Sequence, residues 1–352
     1  MLRFCCSRPA LAVVLFILIA YMMVPKETVA QTISPQNRAD LRQARSNALT
    51  NLTGRPLQRQ YLYLLLPEPE PEVTVNFLMP VFFNSNAQQS SSGGTRSAET
   101  THELKALWQK QLPNNLKLSA LFDASSDRFA SATAANGDAI YADFRAQYST
   151  GKDDQEFQPF ISYSPRGIFE PTFRQNSETS HDLTVGFDKA FAYDNSGKRY
   201  CPPGEPKGIA CAHITKNAEW VFGFTGTLSR RFTDADASST LVKASPSVTH
   251  IINEQWNVGL QVDFSIRWYD AVAGFSQRDI QINPILTLEF IPPATWFKGE
   301  PNQLLFGQPV IDFQLSFARL NSNKDDASYR QWALGPSIKT TWNFCGDRKR
   351  LC

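Results

Sequence analysis

Residues 255–268 alternate between apolar and polar side chains without interruption. The apolar residues hold the even positions: Trp256, Val258, Leu260, Val262, Phe264, Ile266 and Trp268. The polar residues and one glycine hold the odd positions: Gln255, Asn257, Gly259, Gln261, Asp263, Ser265 and Arg267. A period of two places the two sets on opposite faces of one β-strand, whereas a helix would spread both around its surface. This segment therefore predicts a long strand with one apolar and one polar face.

The same alternation recurs along the chain. It is clear in 220–229, 279–290, 311–318 and 331–344. Weaker examples lie near 73–83, 101–112, 116–123, 139–148, 157–164, 181–191 and 240–251. Together these segments predict an all-β, antiparallel protein of about twelve strands, or ten or fourteen if a strand pair is merged or missed. The polar stretches 84–100 and 124–137 are predicted to be exposed loops.

Alternation alone also fits a soluble sheet, so the choice of a membrane barrel depends on length and tryptophan position. A tilted strand needs about nine to eleven residues to cross the hydrocarbon layer, and the clearest segments are longer than that. Trp256 and Trp268 would lie about 40 Å apart along a strand, or about 28 Å along the membrane normal at about 45° tilt. That distance matches the aromatic belts that border an apolar band of about 25 Å. The predicted belt residues are Trp220, Trp256, Trp268, Trp332, Trp342 and Phe344.

The first thirty residues have the pattern of a secretory signal peptide. Arg3 and Arg8 precede an apolar run at 10–24, and the small residues near Ala30 provide a cleavage site. An uncleaved membrane anchor is the alternative. Mean hydropathy over the whole chain is −0.31, so apolar residues are spread thinly rather than concentrated in membrane helices.

Residues 31–72 differ from the strands that follow. Ser34 and Pro35 predict the start of a short helix over 37–49, and the Pro-Glu repeat at 67–72 predicts an extended, stiff segment. The alternatives for this region are a periplasmic leader with a spacer and a plug inside the barrel.

Four cysteines follow the predicted signal peptide, in two close pairs: Cys201, Cys211, Cys345 and Cys352. In an exported protein such pairs are disulfide candidates, and a zinc site is the rival interpretation. The four histidines are scattered and show no ligand spacing, so we expect no metal and no cofactor.

The alternating strands and the final run 338–344, which ends in Phe344, resemble the outer-membrane porin-like β-barrels of Gram-negative bacteria. The resemblance covers roughly residues 73–344. It implies a transmembrane barrel in the outer membrane, surrounded by lipid, whose last strand is recognised by the barrel-insertion machinery. The chain departs from the family pattern because a tail, residues 345–352, follows Phe344.

If the apolar faces contact lipid, several charged side chains point into the barrel. These lumen-facing candidates are Asp263, Arg267, Asp279, Glu289, Asp312 and Lys339. They predict a narrow channel for ions or small hydrophilic solutes, which would diffuse past both signs of charge. The alternative is a non-conducting barrel with a structural or adhesive role, in which these residues pair with one another.

Enzymatic and nucleic-acid functions have less support. Outer-membrane phospholipases carry a His-x-Ser-Asn-Gly type motif, but His181 is followed by Asp-Leu-Thr, so a lipid hydrolase that uses His181 is a remote alternative and we predict no enzyme. The net charge is +2 without a basic stripe, which argues against a nucleic-acid partner. The sequence makes no prediction of oligomeric state.

Overall fold

The computed structural model describes residue 40 and most of the chain from 73 to 351. The described ranges are 73–89, 94–148, 157–193, 220–234, 238–253, 255–271, 276–293, 308–324, 327–345 and 350–351. Within these ranges no helix has both the length and the apolar character needed to cross a membrane.

Twelve long strands and one short one form a single sheet. In chain order they are β1 (Val73–Asn84), β2 (Ser97–Gln111), β3 (Leu116–Phe129), β4 (Gly137–Tyr148), β5 (Phe157–Phe169), β6 (Asn176–Tyr193), β7 (Trp220–Thr233), β8 (Ser239–Ile251), β9 (Trp256–Tyr269), β10 (Arg278–Phe290), β11 (Gln308–Ser322), β12 (Tyr329–Cys345) and β13 (Arg350–Leu351). Single 3-10 turns occur at Thr133–Ala135 and Pro171–Phe173.

Each long strand pairs antiparallel with its neighbours in sequence, and β1 also pairs with β12. The first and last strands join from Val73 opposite Phe344 to Asn84 opposite Ala333. The sheet is therefore a closed twelve-stranded antiparallel barrel, as the alternation predicted. Closure removes the free edges that an open sheet would present to hydrocarbon.

Alternate residues of the strands face outward and inward. Along β9, Trp256 and Trp268 are exposed on the outside, whereas Asn257 and Asp263 are buried on the inside. The same arrangement occurs around the whole barrel: many large apolar side chains are exposed and many polar side chains are buried, which is the opposite of a soluble protein. Outward examples are Phe77, Leu104, Phe122, Phe144, Ile161, Leu183, Leu228, Val242, Leu288, Phe313 and Ile338. Such an exterior is stable in lipid rather than in water.

The seam between β1 and β12 brings two backbones close together at Gly335. A β-carbon added at this glycine would overlap the carbonyl oxygen of Val81 and lie 2.9 Å from the α-carbon of Phe82. No side chain fits there without a shift of β1. The closure of the barrel therefore depends on the absence of a side chain at this position.

Two predicted loops differ from the structure. β2 begins inside the predicted loop 84–100 and β3 continues into the predicted loop 124–137. The prediction that 84–100 is exposed is also wrong at Ala87 and Gln89, which are almost fully buried. Ala87 packs in a small apolar cluster with Phe129, and the Gln89 side chain donates a hydrogen bond to Gln331 at 3.3 Å. Polar residues of this connection are buried because they find hydrogen-bond partners on neighbouring strands.

The C-terminal tail includes a strand that the sequence did not predict. β13 pairs with the end of β12, with Leu351 opposite Phe344 and Arg350 opposite Cys345. Phe344 is thus flanked on both sides, by Val73 of β1 and by Leu351.

Candidate functional site

The interior of the barrel has two ends, which we name by the strands. The terminal end is where β1 begins and β12 ends, and the far end is where β1 ends and β12 begins. Odd-numbered strands run toward the far end and even-numbered strands return, because all neighbours are antiparallel.

The structure places all six of the charged residues predicted to face the lumen on the inner wall, in separate groups. Lys339, Glu289 and Asp312 form one fully buried group: the Lys339 Nζ lies 3.5 Å from Glu289 Oε2 and 3.8 Å from Asp312 Oδ2. The group joins β10, β11 and β12. Charges this deeply buried are stable only when paired, so these side chains form part of the packed wall.

The other three predicted residues lie apart from that group. The Lys243 Nζ lies 2.9 Å from Asp263 Oδ2 on the inner face of β8 and β9. Asp279 accepts a hydrogen bond of 3.0 Å from the Gln277 side chain at the far end. Arg267 lies near the far end of β9 and contacts, within the lumen, a carboxylate of a residue that does not belong to any strand.

That carboxylate belongs to Asp40, which three arginines of the wall bind at once. Arg166 of β5 donates to Asp40 Oδ1 at 2.5 Å, and Arg267 of β9 donates to Oδ2 at 2.8 Å. Arg231 of β7 donates to both oxygens, at 3.1 and 3.3 Å. We call these three residues the arginine cluster. Arg231 also forms a bidentate pair with Asp182 of β6, with both distances 2.7 Å.

Opposing effects act on the Asp40 carboxyl. Burial raises its pKa, but the charges of Arg231, Arg267 and Arg166 and the hydrogen bond from Arg231 outweigh burial. The pKa therefore lies well below the ordinary value of 3.8. The three arginines therefore favour the charged carboxylate form of Asp40.

A second polar network lies between the arginine cluster and the terminal end. The Arg145 Nε lies 3.5 Å from Asp143 Oδ2 and its Nη1 lies 3.6 Å from Asp188 Oδ2. Its guanidinium carbon lies 3.9 Å from the centre of the Phe160 ring, which is a cation–π distance. Asp188 also accepts a hydrogen bond of 2.7 Å from Thr225. These groups hold Arg145 in one position inside the lumen.

Both networks line one cavity of about 350 Å³. Its wall reaches from Gln109, Lys117 and Gln147 near the terminal end to the arginine cluster near the far end. Serine and threonine side chains supply much of the remaining lining: Ser119, Ser162, Ser164, Thr184, Thr225, Thr227, Ser229, Ser245 and Ser265. Polar side chains thus line the cavity from near one end of the barrel to near the other.

The opposite side of the interior is packed rather than hollow. Inner residues of β1, β2, β11 and β12 are almost fully buried: Thr74, Asn76, Leu78, Glu99, Glu103, Lys105, Val310, Asp312, Gln314, Ser337, Lys339 and Thr341. The Lys105 Nζ lies 3.6 Å from Glu103 and 4.0 Å from Asp123. Any passage through the barrel therefore follows the β3–β10 side.

The predicted aromatic residues lie at both edges of the apolar exterior. Trp256 and Trp268 are 38% and 40% exposed at the two ends of β9. Trp332 packs on Phe83 at 5.4 Å near the far end, and Trp220 stacks on His250 at 4.2 Å near the terminal end.

Trp342 and Phe344 lie near the terminal end of β12. A closed antiparallel barrel with this exterior and a polar interior has the architecture of an outer-membrane barrel. The protein is therefore an outer-membrane β-barrel in contact with the lipid bilayer.

His181 faces outward, away from the lumen. Its Nδ1 lies 2.7 Å from the Tyr163 hydroxyl, and the two rings stack at 5.9 Å. Its partners across the neighbouring strands are Pro165 and Phe232. No serine is its hydrogen-bond partner or direct cross-strand neighbour in the described part of the chain.

Other predictions fall on residues that are not described. The signal peptide 1–30, most of the segment 31–72, and the disulfide candidates Cys201, Cys211 and Cys352 lie outside the described residues. Cys345 ends β12, and its side chain is likewise outside the description. Within the described residues, no group of three or more His, Cys, Asp or Glu side chains is arranged to hold a metal.

The sequence did not identify the residues that line most of the cavity. Arg166 and Arg231 each lie two residues beyond the predicted ends of their strands, at 164 and 229. Continuing the period-two count would have placed both on the inner face. Nothing in the sequence pattern connects Asp40 with them.

No protein-family model and no curated protein sequence matches the chain. Among solved structures, an outer membrane channel from Pseudomonas putida F1 is similar, with a TM-score of 0.48 and 12% identity over 79% of this chain and 98% of the channel. The translocator domain of the autotransporter NalP from Neisseria meningitidis has a TM-score of 0.38 and 10% identity, over 88% of this chain and 98% of that domain. Outer membrane phospholipase A from Escherichia coli has a TM-score of 0.39 and 10% identity, over 80% of this chain and 96% of the enzyme.

Proposed function

We propose that the protein is a narrow outer-membrane channel for ions or small hydrophilic solutes. The observation that carries this proposal is the polar cavity, whose lining includes residues near both ends of the barrel. A hydrophilic solute can exchange its water for the hydroxyl, amide and charged groups of this wall as it moves. Lipid surrounds the barrel, so this wall is the polar route across the membrane.

Charge in the proposed passage changes along its length. Lys117 and Gln147 line the terminal end, Arg145 with Asp143 and Asp188 line the middle, and the arginine cluster lies near the far end. Opposite charges on facing strands create a transverse field that orders water and selects among solutes. The middle network joins one guanidinium group to two carboxylates, whereas the arginine cluster joins three guanidinium groups to the two carboxylates of Asp40 and Asp182.

We further propose that residues 31–72 act as a plug rather than as a periplasmic leader. Asp40 is bound inside the lumen near the far end, while β1 begins with Val73 at the terminal end. These two described points are therefore at opposite ends of the barrel. This placement supports a segment associated with the interior.

The resemblance to porin-like barrels also supports recognition of β12 by the barrel-insertion machinery. Phe344 closes the apolar face of this strand, and β13 folds back beside it. We propose that the barrel-insertion machinery recognises Phe344 before β13 pairs with β12.

A non-conducting structural barrel is the second candidate. The packed side of the lumen favours it, because the fully buried group around Lys339 fills space that a wide pore would leave open. A lipid hydrolase has weaker support, since the outward His181 has Tyr163 as its hydrogen-bond partner. Phospholipid turnover that falls in His181→Ala, compared with Tyr163→Phe, would restore the hydrolase as a candidate.

Planar-bilayer recording separates the two main candidates. The full chain, purified in detergent, is first checked for a change of gel mobility on boiling, which reports a folded barrel. We expect discrete unitary current steps from folded protein and none from boiled protein. Folded protein that gives no steps across repeated insertions would leave the structural barrel as the function.

A further inference from the structure

The arginine cluster has the form of a binding site for an anionic group. Guanidinium groups from three different strands converge on one carboxylate at distances of 2.5 to 3.3 Å. Their side chains are only 6%, 8% and 11% exposed. Buried guanidinium groups aimed at one point bind carboxylate or phosphate oxygens with high geometric selectivity.

The two carboxylates at this site have different origins. Asp182 belongs to the barrel wall and lies directly opposite Arg231 in the β6–β7 ladder. Asp40 precedes the barrel and is the carboxylate that all three arginines share. Asp182 is therefore a fixed part of the site, whereas Asp40 occupies the position of a ligand.

The charge balance shows what the site attracts when Asp40 is absent. Among the described residues, the three guanidinium groups and the Asp182 and Asp40 carboxylates that contact them carry a combined charge of +1. Removal of Asp40 alone leaves +2. Because the site is buried, this excess would be screened poorly by salt and would attract an anion strongly.

The site also lies on the proposed route of solutes. All three arginines and Asp40 line the same cavity as the middle network. A solute that crosses the barrel on this side meets the cluster close to the far end. There an anionic solute can form ion pairs with the guanidinium groups that bind Asp40. A neutral solute or a cation cannot form these ion pairs.

We propose that the arginine cluster is a binding site for solutes that carry a carboxylate or phosphate group, and that Asp40 is its intramolecular competing ligand. This inference builds on the proposed channel by naming its solute class. An arriving anion takes the place of the Asp40 carboxylate between Arg166, Arg231 and Arg267. No covalent change is involved, and the exchange is one anion for another.

Binding of inorganic phosphate and of citrate to the full chain in detergent micelles tests the proposal by calorimetry. If Asp40 fills the site about 90% of the time, it weakens the apparent affinity for an anion about tenfold. Asp40→Asn should therefore bind phosphate about tenfold more tightly than the unmodified chain. Asp270→Asn is the matched control, because Asp270 pairs with the outward Arg230 rather than with the cluster.

Arg267→Gln provides the reverse test. It should weaken phosphate binding to the unmodified chain and abolish the gain in Asp40→Asn. Equal phosphate affinity in the unmodified chain and Asp40→Asn, or binding that is indifferent to Arg267→Gln, would overturn the proposal. If Asp40→Asn does not fold, the comparison of the unmodified chain with Arg267→Gln still tests the anion site, and phosphate binding that is unchanged in Arg267→Gln overturns it.

The binding assay does not depend on conductance, so the two proposals can fail separately. Phosphate binding that follows these variants without unitary currents would support the site and reject the channel. Currents with no binding at the cluster would support the channel and reject the site. In a conducting barrel, Asp40→Asn should also shift the reversal potential in a salt gradient toward anion selectivity, and Asp270→Asn should not.

Discussion

Asp40 and Arg231 lie 191 residues apart in the chain, yet an Arg231 Nη lies 3.1 Å from the Asp40 carboxylate inside the barrel. The contact joins a residue that precedes the barrel to the far end of β7. The contact places the carboxylate of a residue that precedes the barrel among three arginines of the lumen, near the far end of the proposed passage.

The contact should depend on pH only in strong acid. The pKa of Asp40 in the folded protein lies well below 3.8, so its contribution to stability is fully present above about pH 5 and is lost progressively as pH falls further through the lower folded value. We expect the difference in thermal unfolding temperature between the unmodified chain and Asp40→Asn to be constant from pH 7 to about pH 5 and to shrink below it. A difference that already shrinks between pH 7 and pH 5 would contradict the assigned ion pairs.

The seam of the barrel should be intolerant of a side chain at residue 335. Gly335→Ala places a β-carbon against the Val81 carbonyl, so β1 must move away from β12. We expect a loss of about 1–3 kcal/mol in the free energy of unfolding, measured with a denaturant in micelles.

Gly137→Ala is the matched control for the seam. A β-carbon there would lie 3.5 Å from the Phe169 carbonyl oxygen, an ordinary contact. We expect this variant to keep the stability of the unmodified chain. Equal stability of the two glycine variants would show that the strands can separate at Gly335 without cost.

The buried group of Lys339, Glu289 and Asp312 should contribute to stability as a unit. Lys339→Met removes the cation that faces Glu289 and Asp312, and leaves buried carboxylates uncompensated. We expect a loss of about 3–5 kcal/mol in the free energy of unfolding. Adding Glu289→Gln and Asp312→Asn to Lys339→Met should recover much of that loss, because the uncompensated charge is gone. If the triple variant were as unstable as Lys339→Met alone, the loss in free energy of unfolding would come from altered packing rather than from uncompensated charge.

The sequence predicted the strands well where apolar and polar residues alternate without interruption. The uninterrupted alternation of 255–268 predicted β9 almost to its ends, because lipid on one side and water on the other impose opposite requirements on neighbouring residues. Arg166 and Arg231 were missed because the apolar pattern weakens toward the strand ends, where the wall leaves the hydrocarbon. The inner placement of such residues follows only when the strand limits are known.

The interior was less predictable for a physical reason. Gln89 in the β1–β2 connection and Asp40 are polar residues that would normally lie in water, yet both have hydrogen-bond partners inside the barrel. Composition does not distinguish a hydrated polar residue from a buried and bonded one. Their partners, Gln331 and Arg231, are distant in sequence and are brought near only by closure of the sheet.

The route along the β3–β10 side can be tested with neighbouring residues that face opposite ways. Thr227 lines the cavity on β7, whereas Leu228 is exposed on the lipid-facing side. Thr227→Trp places an indole in the passage, so unitary conductance should fall to roughly half or less. Leu228→Trp adds the same side chain in lipid and should leave the conductance unchanged. Both variants should retain the boiling-dependent gel mobility of a folded barrel. Equal conductance in the two variants would mean that ions do not pass along this wall, and the proposed passage would have to be abandoned.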